Sequence, residues 1–168
     1  PWCHEGERNP GVILYHGSSA EIAAPDIIHS REEVDFGLGF YTAPDFEQAV
    51  KWCGKFRLKG SGGAVSVYEF DWSAIQRYRT LQFGGYSEEW LDFVAGCRLG
   101  KDSSEYDIVT GPAAGDGVFN VLELYTNGYI DRVEAVSRLK FEKPNFQMAI
   151  RSQKVLDNEL HFLRSVRI

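Results

Sequence analysis

The segment Asp35-Phe36-Gly37-Leu38-Gly39-Phe40-Tyr41-Thr42-Ala43 constrains this chain more than any other. Two glycines stand just ahead of a Phe-Tyr pair that reads as the start of a strand. Glycine has no Cβ, so the backbone there can come close to a ligand, and the Tyr offers a flat face where the backbone has been opened. Upstream, Leu14-Tyr15-His16-Gly17-Ser18 repeats the theme, an apolar run ending in a His, a Gly and a hydroxyl. Two strand-like pieces that each join Gly to a ring predict a pocket for something flat with polar edges.

At 168 residues the chain fits one domain with a substantial core. It is 43% hydrophobic and 14% aromatic, which excludes a disordered polymer. The formal net charge of −6 argues against a nonspecific nucleic-acid binder, which usually presents a basic face. Arg151, Lys154, Arg164 and Arg167 cluster near the C-terminus and read as ordinary solvated positions. Cys3, Cys53 and Cys97 are odd in number, without CxxC or Cys/His spacing, so neither a disulfide framework nor a metal site is expected. No apolar run approaches the ~20 residues that span a bilayer and no signal peptide is visible, so a cytoplasmic setting is the default expectation. Pro1 in first position and a lone Met148 raise the question of an excised domain or a processed form.

Residues 1–11 are polar and aperiodic and read as a leader or linker, leaving 12–168 as a single domain. Val12–Tyr15, Phe40–Tyr41, Ala64–Phe70, Tyr106–Thr110, Phe146–Ile150 and Leu160–Leu163 are the strand candidates. Phe46, Ala49, Val50 and Cys53 fall at i, i+3, i+4 and i+7, one face of a helix that opens after Pro44. Ser87 caps a second helix whose stripe is Trp90, Leu91 and Val94. Phe119–Leu139 is predicted helical with a break at Asn127-Gly128, and Gly111–Gly117 and Lys140–Pro144 are predicted loops. Strands mixed with isolated helices, without a regular βαβ rhythm, give an α+β domain.

Several familiar sites are absent from the sequence. Gly37-Leu38-Gly39 lacks the third glycine of a dinucleotide fingerprint and precedes a strand rather than a helix. There is no P-loop, no GxSxG and no HExxH. What remains is three separated pieces: Tyr15-His16-Gly17-Ser18, Phe36-Gly37-Leu38-Gly39-Phe40-Tyr41, and Asn145-Phe146-Gln147-Met148-Ala149-Ile150. Together they resemble the catalytic core of the ADP-ribosyltransferases of the poly(ADP-ribose) polymerase and diphtheria-toxin type, the H-Y-E clade, and in particular its small bacterial domains. His16-Gly17 and Phe36–Tyr41 match the polymerase pattern, a His-Gly followed by FGxGxYF, except that Thr42 replaces the last Phe. The resemblance spans roughly residues 12 to 166. It implies a split β-sheet, two packed and mostly antiparallel sheets with flanking helices.

The resemblance implies NAD as co-substrate, no metal, and a catalytic triad of His16, Tyr41 and Gln147, the last where the family often carries Glu. His16 would bond the adenosine-ribose hydroxyls, and the Gly17 backbone would read the carboxamide edge. Ser18 and Gly39 would line the cofactor site. Tyr41 and Trp52 would sandwich the nicotinamide ring, offset stacking contributing on the order of 1 kcal/mol beyond burial. Ala49 stands where the family has a Ser and cannot make that hydroxyl's contact to the carboxamide. Cleavage of the nicotinamide bond passes through an oxocarbenium-like state, as glycoside hydrolysis does. Gln147 can accept from a ribose hydroxyl but carries no charge and cannot act as a base, so at most single ADP-ribose units are expected to be transferred. Whether Gln147 is native or replaces a Glu stays open in the sequence.

The loop ahead of the catalytic strand helps choose the acceptor in this superfamily, which implies Phe141, Glu142 and Asn145 as acceptor contacts. A protein is the first acceptor to expect, with a nucleic acid as the alternative, and no membrane partner. NAD hydrolysis and silent binding of NAD or ADP-ribose are the competing functions. A secreted toxin or effector role fits the small domain. Taken singly, each of these residues has a structural explanation: a satisfied His, a hairpin glycine, a core aromatic. Their joint occurrence in order carries the reading.

Overall fold

Two short sheets meeting at one point organise the structure. A computed structural model describes residues 2, 11–30, 34–60 and 62–168, the side chains at 55 and 57 excepted. In the first sheet β1 (Gly11–Ser18) pairs antiparallel with β3 (Ala64–Asp71), and β3 with β7 (Leu160–Arg167). In the second, β2 (Phe40–Thr42) pairs with β6 (Phe146–Ile150) and β6 with β5 (Ile108–Pro112), both antiparallel. A parallel edge, β4 (Thr80–Gln82), completes that sheet beside β5. The protein is therefore α+β, with two open and mostly antiparallel sheets.

Side-chain alternation sets the layers. Val12 and Leu14 of β1, with Tyr68 and Phe70 of β3, face Phe40, Met148, Ile150 and Ile108 of the other sheet and form the inter-sheet core. Fully burying one such side chain contributes about 1.5–3 kcal/mol. The outer face of the first sheet is covered by α1 (Phe46–Leu58), whose Ala49 and Cys53 pack on Val65. The outer face of the second is covered by α3 (Glu88–Arg98), α4 (Asp116–Thr126) and α5 (Arg132–Leu139), which bury Trp90, Leu91, Val94, Leu122 and Leu139 against Phe36, Val109 and Ala149. Among the described residues no helix is long and apolar enough to cross a membrane.

Caps define the helix ends. Ser87 Oγ accepts from Trp90 N at 3.1 Å, as the sequence predicts. Asn127 caps α4, and Gly128 takes a φ of 76°, so the predicted break at Asn127-Gly128 separates two helices. The first of them begins at Asp116, inside the predicted loop 111–117, and Gly111 and Pro112 lie in β5. β1 runs three residues past Tyr15 because all eight of its residues find partners on β3. Gly11 of the expected leader opens β1, and Trp2 stacks on Trp72 with ring centroids 5.7 Å apart; the other leader residues lie outside those described. Cys53 and Cys97 are both buried, and Cys53 Sγ donates to Ala64 O at 3.4 Å; Cys3 lies outside the described residues. Arg151, expected to be solvated, is instead largely buried, its guanidinium 2.7 Å from Asp102.

Besides β4, two helices have no counterpart in the sequence reading: α2 (Ala74–Arg77) and α6 (Gln153–Glu159). They are tied together by Glu159, which accepts from Arg77 at 2.8 and 2.9 Å and from the Tyr78 hydroxyl at 2.9 Å. The Arg77 hydrogen bonds hold the Glu159 carboxyl below its ordinary range, against the opposing effect of burial. A lowered folded pKa means stability present above the ordinary carboxylate pKa and lost as pH falls through the lowered value. Glu159→Gln should therefore lower Tm most above about pH 5, with the difference from wild type shrinking toward about pH 3. Thermal melts across that range test this; a deficit independent of pH would show that the carboxylate charge is not what matters.

Candidate functional site

Each sheet turns one edge strand toward the other, and the two meet in a single pair. Tyr15 N donates to Ala43 O at 2.9 Å and Ala43 N to Tyr15 O at 2.8 Å. Alternate residues of a strand direct their N–H and C=O to the same side. Gly17 on β1 and Tyr41 on β2 therefore turn theirs across the gap that opens beyond this bridge. His16 enters the gap, its Nδ1 2.6 Å from the Tyr41 carbonyl oxygen. A carbonyl can only accept, so Nδ1 carries the proton, and in the neutral ring Nε2 is then an acceptor. The imidazole lies over Phe40, with centroids 4.3 Å apart and planes 27° from parallel.

A cavity of about 650 Å³ occupies the split, inside the ~300–1,000 Å³ range of small-molecule sites. β1 contributes His16, Gly17 and Ser18; β2 and its approach contribute Gly39, Phe40 and Tyr41; α1 contributes Trp52; β6 contributes Gln147. All seven residues expected to bind or act on the ligand thus line one cavity, although 131 positions separate His16 from Gln147. The rim carries Asp26 and His29, whose backbone N–H and ring lower the Asp26 carboxyl. Among the described residues no group of His, Cys, Asp and Glu is arranged to hold a metal ion.

Tyr41 contributes its ring alone. Its hydroxyl donates to Gly37 O at 2.6 Å and accepts from Phe36 N at 2.9 Å, and burial pushes the phenol above its ordinary pKa. Trp52 lies across α1 and makes no ring contact with Tyr41 among those described. Ala49 is fully buried beneath β1. Phe141 is exposed after α5, Glu142 lies against Gly117, and Asn145 accepts from Ala113 N through its carbonyl; none of the three lines the cavity.

Sequence reasoning assigned no role to Asp35 or Arg98, which sit at the cavity floor. Asp35 is buried and receives four donors: Arg98 Nε at 2.9 Å and the adjacent Arg98 terminal nitrogen on Oδ1, then Ala114 N at 2.9 Å and Gln147 Nε2 at 3.0 Å on Oδ2. The signal available was an acidic residue set directly against the buried Phe36. Its partners come from α3, the α4 approach and β6, 63 to 112 positions away, which no local pattern encodes.

A family model, described as a protein of unknown function (DUF3990), matches residues 12–162. The chain belongs to that family. No curated protein and no solved structure matches it.

The glycines of this DUF3990 domain answer first to the protein's own backbone. A Cβ on Gly17 would lie 2.0 Å from the Ala49 carbonyl oxygen of α1, and one on Gly39 would lie 3.0 Å from Ile150 O. Gly37 turns the chain at φ 74°. Close helix packing thus dictates Gly17, whatever the cavity binds. Gly17→Ala should push α1 off β1 at a cost of at least about 2 kcal/mol, lowering Tm by roughly 4–8 °C in a thermal melt. An unchanged Tm would show that α1 can shift freely.

Proposed function

We propose that this chain is an NAD-dependent ADP-ribosyltransferase that cleaves NAD to nicotinamide and transfers single ADP-ribose units to a macromolecular acceptor, a protein first. One observation carries the reading: the residues that the polymerase-type pattern designates, drawn from three distant segments, line a single cavity at the split between two sheets. On this reading the two sheets are the split sheet of that superfamily. Tyr41 and Trp52 offer ring faces to the nicotinamide from β2 and α1. The open-edge N–H and C=O of Gly17 face a carboxamide. His16, held through Nδ1 on Tyr41 O, lines the cavity where a ribose hydroxyl would bind. Gln147 offers its amide oxygen to the second ribose. Bond cleavage then rests on orientation and on an uncharged dipole beside the developing cation.

A second reading, NAD or ADP-ribose binding without turnover, is favoured by the state of Asp35. This carboxylate at the cavity floor is fully engaged by four donors, so it is not offered to an oxocarbenium ion. Adenylate-labelled NAD separates the two. The expected result is nicotinamide release with label on macromolecules of a cell extract, removed by protease and resistant to nuclease. Trp52→Ala should weaken NAD binding about tenfold through loss of a stacking face. Free ADP-ribose alone would indicate hydrolysis, and saturable binding without nicotinamide release would establish the silent module. Absence of NAD binding would end the proposal.

A further inference from the structure

Gln147 is held by a partner that only an amide can satisfy. An ionised carboxylate accepts and does not donate, with about four lone-pair sites on its two oxygens. Asp35 has all four filled, two by the Arg98 guanidinium and one each by Ala114 N and Gln147 Nε2. The Arg98 guanidinium takes Oδ1, and the backbone N–H on Oδ2 fixes the orientation. The Gln147 amide therefore has one way round, nitrogen toward Asp35. Among the described residues no buried side-chain oxygen is without a partner. Gln147 is buried and lines the cavity, so its Oε1 is the end that looks into it.

We infer that Asp35 is a positioning residue that orients Gln147 as a neutral hydrogen-bond acceptor, making the cavity floor selective for a ligand hydroxyl, and that position 147 is built for an amide, not a carboxylate. The network stands on geometry alone; the ligand hydroxyl rests on the proposed NAD reading. Glutamate at 147 would set a second carboxylate oxygen about 3.0 Å from Asp35 Oδ2. Two like charges at that distance cannot both stay ionised, so the pair takes up a proton from solvent or separates. The wild-type amide thus fits its surroundings without standing in for a missing Glu.

The groups packed around Asp35 leave this pH signature clean. Cys97 of α3 and Tyr86 ahead of it are each pushed up to about 12 by burial, and burial raises Tyr41 of β2 as well. None of these titrates between pH 5 and 8. His16 shares the cavity and is present in every variant compared.

Melting curves of wild type, Gln147→Glu and the exchange Asp35→Asn with Gln147→Glu, at pH 5 and pH 8, test the network. Gln147→Glu should melt about 5 °C or more below wild type at pH 8, with at least half of that gap closed at pH 5. The exchange variant should regain stability over Gln147→Glu at pH 8, because an amide again faces a carboxylate. Gln147→Met, which keeps the length and removes both polar ends, reports the packing contribution should the exchange variant fail to fold. Its gap from wild type should be the same at both pH values. Equal Tm for Gln147→Glu and wild type at pH 8, or a gap that ignores pH, overturns the inference. For the ligand, Gln147→Met should lower the affinity for ADP-ribose at least tenfold, while unchanged affinity removes the acceptor role. Wild type that shows the pH-dependent pattern but binds neither NAD nor ADP-ribose would sink the NAD reading and leave the positioning role of Asp35 standing.

Discussion

The cavity exists because β1 and β2 meet at one residue pair and then part. Two edge strands lying side by side would ordinarily extend their ladder, since an unpaired edge is a standing template for pairing. Here the ladder stops after Tyr15 and Ala43. The imidazole of His16 takes the Tyr41 carbonyl that a continued ladder would have claimed, and stacking on Phe40 holds it there. A ring inserted between strands satisfies one edge group and keeps the strands apart. Behind it, α1 sits so close to β1 that Gly17 has no room for a side chain. The gap is thus braced from both sides, by a wedge within it and by a helix behind it.

The floor of the gap depends on a second constraint, the satisfaction of a buried charge. Removing a carboxylate from water is costly unless every lone pair is met. Asp35 meets that requirement by drawing together α3 through Arg98, the approach to α4 through Ala114, and β6 through Gln147. Arg98 also lies over the Phe119 ring of α4 at 5.0 Å, so the same guanidinium fastens two helices. Well-packed apolar residues could hold these elements together at least as strongly. What the ion pair adds is direction, because hydrogen bonds fix orientation where apolar packing does not.

Legibility in the sequence followed locality. The helical stripe of Phe46, Ala49, Val50 and Cys53, the Ser87 cap and the Asn127-Gly128 break are decided within a turn or two, and each appears as expected. β4 is three residues whose partner β5 lies 28 positions away and runs parallel, so nothing in Thr80-Leu81-Gln82 announces it. In α6, two of seven residues, Val155 and Leu156, are buried apolar positions, too few for a periodic signal. The site divides in the same way. His16, Gly17 and Tyr41 stand out because glycine beside a ring is unusual within a strand. The glycines, however, were attributed to ligand approach when Gly17 and Gly39 clear space for Ala49 and Ile150. Asp35 sat in the most informative segment and still had no assignable role, since its partners come from elements that only the fold brings near.

The two acceptors of the cavity are fixed by partners of one chemical type. Tyr41 O takes the proton-bearing nitrogen of His16, and Asp35 takes the amino group of Gln147. In each case an obligate acceptor of the protein claims the donor end of an ambivalent side chain and so fixes which way round that side chain sits. A neutral His and a Gln could otherwise present either end; here the polarity is set before anything binds, which removes part of the ordering cost of association. On the proposed NAD reading, the riboses of a dinucleotide would meet these side chains and its diphosphate would lie elsewhere along the split. The open-edge N–H and C=O of Gly17 and the N–H of Tyr41 provide the complementary chemistry within the same gap.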